Sequence, residues 1–224
     1  MDVKIILKHE VLPLVKEYLP ENPVIIEAGS FNGSDTKKIA AFWPAATIYA
    51  FEPVPEIFTL LQDNVKHIPS IHPQNIALFE DTGHAEFHVS MHPKKPEKPF
   101  QAGSLLKPTK RLELSPVVYP KTITVRTITL DDWAEQNNIT YIDFAWLDMQ
   151  GTELNVLKAS PNMLATLKVI YTEVEFIQAY ANQYILDDVV TWLTAQGFTL
   201  VAQDFKNTTD WFYGNQVWIK TSHA

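Results

Sequence analysis

Val24-Ile25-Ile26-Glu27-Ala28-Gly29-Ser30-Phe31-Asn32-Gly33 joins a short, fully apolar run to a glycine-bearing loop. Such a run, bounded by turn residues, predicts a buried strand. Thr36 to Trp43 reads as a helix, and Pro44 stops it. The loop therefore lies where a strand hands over to a helix. Glycine lets the backbone turn sharply and approach a ligand where a Cβ would collide, and the helix N-terminus offers free N–H groups. The Gly-x-Gly-x-x-Gly of dinucleotide sites is absent, because Ser30 and Phe31 follow Gly29. An acid, Glu27, instead precedes Gly29 by two positions. A carboxylate there suits a ligand with a cationic amino group and would repel a pyrophosphate. A structural turn with a chance glycine pair would carry the same letters.

Outward from this stretch the alternation continues. Thr47 to Phe51 predicts a second buried strand, ending at Glu52-Pro53, and Pro55 to Val65 a helix with proline in its first turn. Asn75 to Phe79 reads as a third strand, Asp81-Thr82-Gly83 as a turn, and His84 to Ser90 as an edge strand. Three strand–helix alternations imply βαβ units and a mostly parallel sheet. Lys121 to Ile128, Tyr141 to Leu147, Val169 to Phe176, Phe198 to Gln203 and Gln216 to Lys220 read as further strands. Helices are expected over Leu130 to Asn137, Thr152 to Ala159 and Leu186 to Gln196. At the start, Val3 to Leu19 places Ile6, Leu7, Val11, Leu14, Val15 and Tyr18 on one stripe despite Pro13, which predicts a kinked helix. His92 to Ser104 is rich in proline and lysine without apolar periodicity, so it reads as a lid over a site or as a passive insertion. The expected architecture is one α/β domain over residues 1–224. Its sheet is mainly parallel and seven-stranded, with the last strand antiparallel.

Composition narrows the function. The chain has 224 residues, 46% apolar and 20% charged, which suits one folded domain rather than a disordered chain. A net charge of −8 argues against a nonspecific grip on nucleic acid, since Lys94, Lys95 and Lys98 are the nearest thing to a basic patch. The absence of cysteine excludes disulfides, thiolate nucleophiles and Cys-ligated metals. Asp2 and the break at Lys8-His9-Glu10 do not fit a signal peptide, and no stretch approaches the roughly 20 apolar residues of a membrane helix. A cytoplasmic protein without a membrane partner is expected. Among His67, His72, His84, His88 and His92 no spacing sets a metal pair on one helix face, so no metal site is expected.

Two further acids stand at strand ends. Glu52 follows the second strand about 20 residues beyond the loop, where an acid can accept both ribose hydroxyls of an adenosine. Asp148, in Leu147-Asp148-Met149-Gln150-Gly151-Thr152-Glu153, follows the strand Tyr141 to Trp146. Ligands of open parallel sheets sit at the C-terminal ends of strands, beside the reversal of strand order. Asp148 would lie there, although a helix N-cap is its ordinary alternative. Glu173 and Glu175 share one face of their strand.

Taken together, Glu27 to Gly33, Phe51-Glu52-Pro53, Asn75-Ile76-Ala77-Leu78, Gly103-Ser104-Leu105 and Asp148 to Leu154 resemble the FkbM family of S-adenosylmethionine (SAM)-dependent methyltransferases. Order and spacing match from about residue 23 to 220. The resemblance implies a class I, Rossmann-like fold, SAM as cofactor, and O-methylation of a hydroxyl on a sugar or secondary metabolite. It further implies Glu27, Ala28, Gly29, Ser30, Asn32 and Gly33 at the methionine and ribose end. Glu52 and Pro53 would meet the ribose, Asn75, Ile76 and Ala77 the adenine, and Asp148 the methyl group. A base must take the proton of the attacking hydroxyl. Asp148 is the first candidate, with Glu173 and His72 behind it. Two positions depart from the family: Gln150 replaces a usual Glu, and Trp146 stands where Lys is common. A binding protein with a degenerate methyltransferase fold is the main alternative. A nicotinamide-dependent oxidoreductase would need the missing glycines.

Overall fold

The computed structural model describes residues 2–221. It begins with a two-residue strand, Lys4–Ile5 (β1), then a 3-10 turn at Lys8–Glu10, a short α-helix at Val11–Val15 (α1) and a second 3-10 turn at Lys16–Tyr18. This corrects the single kinked helix expected over Val3 to Leu19. Pro13 sits in the first turn of α1, where its missing N–H has no helical partner to lose. The apolar stripe is still used, because Val11 and Val15 pack with Ile39 and Trp43.

Val24–Ala28 (β2), Ser34–Phe42 (α2), Thr47–Phe51 (β3), Pro55–Val65 (α3) and Ile71–Gln74 (β4) form the first βαβαβ unit. There follow Ala77–Leu78 (β5), Gly83–His92 (β6), Lys95–Pro99 (β7), Arg111–Leu114 (α4), Val118–Ile128 (β8) and Leu130–Gln136 (α5). The second half holds Phe144–Leu147 (β9), Glu153–Ala159 (α6), Pro161–Thr166 (α7), Val169–Glu175 (β10), Leu186–Ala195 (α8), Phe198–Gln203 (β11) and Tyr213–Lys220 (β12).

The main sheet has eight strands in the order β1-β11-β12-β10-β9-β2-β3-β4, not seven, because β1 adds beside β11. Only β12 runs antiparallel, against both β10 and β11, as expected for the last strand. Side chains alternate between two cores. Ile26, Ala28, Ala145 and Leu147 face one, and Ile25, Ile48, Phe144 and Trp146 the other. Strands covered on both faces read as continuous apolar runs, which is why β2, β3 and β9 stand out in the sequence. Strand order reverses between β2 and β9, and the crevice at their C-terminal ends is the expected ligand position.

The third strand is displaced from its expected place. Ile71–Gln74 forms the edge of the main sheet, where Pro73 is tolerated, and only Ala77–Leu78 of the expected Asn75 to Phe79 is a strand. That short strand belongs to a second sheet of order β5-β8-β6-β7. His84 to Ser90 is therefore no edge, since β6 lies between β8 and β7. Val89, Phe87, Met91 and Ile123 of this sheet pack on Val54 and Ile57, which seats it over the start of α3. The segment 92–104 is likewise not structureless. It folds back as β7, and Ser90 Oγ fastens its end by donating to Phe100 O (2.6 Å) and accepting from Ala102 N (3.0 Å).

Candidate active site

The loop after β2 turns by three left-handed residues, Gly29 (φ +85°), Phe31 (φ +49°) and Gly33 (φ +78°). Gly29 N and Ser30 N both donate to Phe51 O, at 3.1 and 3.0 Å, folding the loop over the end of β3. Ser30 Oγ returns to Glu27 O (2.9 Å), and Asn32 Oδ1 accepts from Ser34 N (3.1 Å) at the start of α2. The two glycines serve different contacts. A Cβ on Gly29 would lie 1.8 Å from Asp148 O, so Gly29 lets two loops cross at the switch point. One on Gly33 would meet Leu61 and Val65 of α3. Gly33 does not line the cleft, and its glycine is explained by packing rather than by ligand approach.

A cleft of about 980 Å³, open mouth included, runs over this crossing. Glu27, Ala28, Gly29, Ser30 and Asn32 of the loop after β2 line it, with Glu52 and Pro53 after β3 and with Ala77 and Leu78 of β5. Asp148, Met149 and Gln150, which follow β9, also line it, together with Phe87 of β6 and with Phe100 and Gln101, which follow β7. Asn75 and Ile76 stay outside. Asn75 Nδ2 donates instead to Glu52 O (2.9 Å) and Pro53 O (3.2 Å), holding the strand ends together, and Ile76 is buried in the core. His72 is corrected as a candidate base. It is exposed on the edge strand β4, with its ring 5.2 Å from that of Tyr49, and does not reach the cleft.

Two carboxylates in the cleft lack a cation. Glu27 is 2% exposed and accepts from the Thr36 hydroxyl; Glu52 is 5% exposed and accepts from Val54 N at 2.9 Å. Among the described residues neither enters an ion pair. Burial pushes both carboxyl groups up to about 8. Buried acids in this state fit a ligand that brings an ammonium to Glu27 and a diol to Glu52, as SAM does.

The sign of the pH effect follows. Below about pH 8 the free protein holds protons on these groups, and a ligand that favours the ionised forms must release them. Affinity for S-adenosylhomocysteine should therefore rise between pH 6 and 8 and level off above. Glu52→Ala should weaken binding roughly ten- to a hundredfold and remove its share of the released protons. Calorimetry in buffers of different ionisation enthalpy reads both. A pH-independent affinity with no proton release would remove these acids from the ligand's contacts.

At the β9 end Gln150, left-handed at φ +57°, organises the acids. Its Nε2 donates to Asp148 Oδ1 (3.2 Å) and Glu173 Oε1 (2.6 Å), and its Oε1 accepts from the Tyr180 hydroxyl (3.1 Å). Glu173 thus lies behind Gln150 rather than in the cleft, and burial, with Asp148 and Glu175 nearby, raises its pKa well above the usual carboxylate range. Glu153 binds the loop itself, accepting from Met149 N (2.6 Å) and Gly151 N (3.0 Å). Ser104 Oγ donates to Gln150 O (2.8 Å), so Gly103-Ser104-Leu105 ties the second sheet to this loop. Among the described residues no His, Asp or Glu group is arranged to hold a metal. Sequence reasoning missed Lys8, Phe31, Asp35, Phe87 and Phe100 as cleft residues. Phe31 carried a signal through its place in the Glu27 to Gly33 loop, and Phe100 through the segment from His92 to Ser104 read as a lid.

The model of the methyltransferase FkbM domain matches residues 27–200. The 2-O-methyltransferase NoeI of Sinorhizobium fredii is 30% identical over 183 residues, 81% of this chain and 74% of its own. The hexuronic acid methyltransferase AglP of Haloferax volcanii is 25% identical over 168 residues, covering 75% of this chain and 62% of its own. Among solved structures, an rRNA methylase from Streptococcus thermophilus has a TM-score of 0.55 at 12% identity and covers 96% of both chains. Magnesium protoporphyrin IX methyltransferase from Synechocystis, with bound SAM, has a TM-score of 0.51 at 10% identity, over 95% of this chain and 77% of its own. At such identities these likenesses speak for the fold alone, the class I methyltransferase arrangement. The family match carries the activity: the chain belongs to the FkbM methyltransferases and uses SAM as its cofactor.

Proposed function

We propose that the protein methylates a sugar hydroxyl, with Glu27 and Glu52 holding the cofactor and Asp148 taking the hydroxyl proton. SAM supplies an electrophilic methyl group on a sulfonium. The chain's task is to hold the acceptor oxygen about 3–3.5 Å from that carbon and in line with the breaking bond. An alcohol attacks poorly until a base accepts its proton. Asp148 is the carboxylate in the cleft on the β9 side, and this placement carries the reading. Burial raises its pKa, against the opposing charge of Lys8, which makes it a better proton acceptor than an exposed aspartate. Phe87, Phe100 and Gln101 give the cleft lining a mix of apolar faces and a hydrogen-bonding amide that suits a sugar ring. The names of NoeI and AglP support a carbohydrate acceptor. A single domain, a cytoplasmic setting and the absence of nucleic-acid and membrane partners belong to the same proposal. Among the described residues no helix is long and apolar enough to cross a membrane.

The test is methyl transfer from labelled SAM to a panel of neutral and acidic oligosaccharides. Label should enter the glycan as an alkali-stable ether on a ring hydroxyl. Base-labile label would mean a carboxylate acceptor, and weak or absent SAM binding with no turnover on any glycan would favour the degenerate binding protein.

A further inference from the structure

Lys8 comes from the start of the chain, outside the residues that match the family, yet it lines the cleft. The cleft walls carry four carboxylates, Glu27, Asp35, Glu52 and Asp148, and Lys8 is the one cationic side chain among the described lining residues. The amino-acid end of the cofactor brings charges of both signs. Its ammonium and sulfonium are suited by acids, but its carboxylate would be repelled by the same acids unless a cation faces it. We propose that Lys8 receives this carboxylate and so fixes the amino-acid end of the cofactor. The inference rests on the reading that Glu27 and Glu52 hold SAM.

The fold explains how residue 8 arrives there. β1 pairs in parallel with β11, so its C-terminal end lies at the same edge of the main sheet as the crevice. Ile6 N donates to Gln203 O (2.9 Å), and Leu7 N to Glu10 Oε2 (2.7 Å), fixing the turn that delivers Lys8. The ammonium lies 5.5 Å from the centre of the Trp146 ring and 2.7 Å from Asp35 Oδ2. Asp35 does not depend on it, because Lys38 Nζ lies 2.8 Å from its other oxygen. Lys8 can therefore turn from Asp35 to a ligand without leaving that acid unpaired. Its side chain is 47% exposed, which leaves it room to move. The ordinary alternative is a surface ion pair of little consequence.

Lys8→Met keeps the stem over Trp146 and deletes the charge, so it separates the two. Titrations of the full chain with S-adenosylhomocysteine and with 5′-methylthioadenosine, which shares the adenosine and thioether but lacks the amino acid, provide the readout. Lys8→Met should weaken S-adenosylhomocysteine about ten- to a hundredfold and leave methylthioadenosine within twofold, while Lys8→Arg keeps most of the affinity. Unchanged affinity for S-adenosylhomocysteine in a folded Lys8→Met protein overturns the proposal, and so does an equal loss for both ligands, which would give Lys8 a purely structural part. A parent protein that binds neither ligand would overturn the cofactor reading of the cleft itself, and the role of Lys8 with it.

Discussion

Gly29→Ala is expected to abolish cofactor binding and to destabilise the protein by about 3–5 kcal/mol, at the upper end for a single substitution. Two costs combine. At φ +85° any Cβ is strained against its own backbone, and this one would lie 1.8 Å from Asp148 O and 2.8 Å from its carbonyl carbon. Both are backbone atoms, so no rotamer relieves the overlap. The loop after β9 would have to withdraw from β2, breaking the bond from Asp148 N to Ala28 O (3.0 Å) and carrying Asp148 out of the cleft. In a domain of this size the loss corresponds to a melting temperature lower by roughly 6–20 °C. Gly33→Ala should be milder, because its obstacles are the ends of Leu61 and Val65, which can shift. Thermal unfolding together with S-adenosylhomocysteine titration tests both. A Gly29→Ala protein within 2 °C of its parent and still binding would mean that the two loops do not touch as described.

Whether a feature could be read from the sequence depended on how local its cause is. β2, β3 and β9 are covered on both faces, so their letters are mostly apolar and all three stand out, although β2 runs on through Glu27 to Ala28 and β9 begins only at Phe144 rather than at Tyr141. Glu52 and Asp148 were legible as cleft residues because each is an acid directly after such a run. β4 was not legible, since an edge strand reading Ile-His-Pro-Gln needs no apolar pattern. β1 was hidden for another reason: its two exposed residues are strand only because they pair with Ala202 and Gln203, nearly the whole chain away. Lys8 fell within an apolar stripe that reads as helix, where a lysine looks like a solvated break. His72 failed as a base because its place on an edge strand, which decides what it can touch, is tertiary information. The glycines were found, but the cause of Gly33 was assigned to a ligand when it belongs to α3. Gln150 looked like the loss of a charged group. In the structure it is the donor that holds two carboxylates side by side.

Asp148→Asn is expected to slow methyl transfer by about 10²–10⁴ while changing affinity for S-adenosylhomocysteine only several-fold. The substitution keeps the shape, and the amide oxygen can still accept from Gln150 Nε2, now 3.2 Å from Asp148 Oδ1. What disappears is the capacity to take a proton. Gln150 makes this a clean experiment. Its amide carries no charge, and its short bond to Glu173 Oε1 (2.6 Å) keeps the second acid turned toward Gln150 rather than into the cleft. A glutamate at 150 would place a third carboxylate beside Asp148 and Glu173 and force a proton onto one of them. With glutamine there, Asp148 lines the cleft and Glu173 does not. Single-turnover methyl transfer at saturating SAM gives the rate, and its pH profile gives the mechanism: the parent should lose activity as Asp148 takes up a proton in acid, and the variant should lack that limb. A rate within threefold of the parent would reduce Asp148 to a structural part of the loop. A variant that loses S-adenosylhomocysteine as well would make it a cofactor ligand instead. The base assignment requires both halves of the result, a collapsed rate and a retained cofactor, because only a group that acts on the acceptor proton separates them.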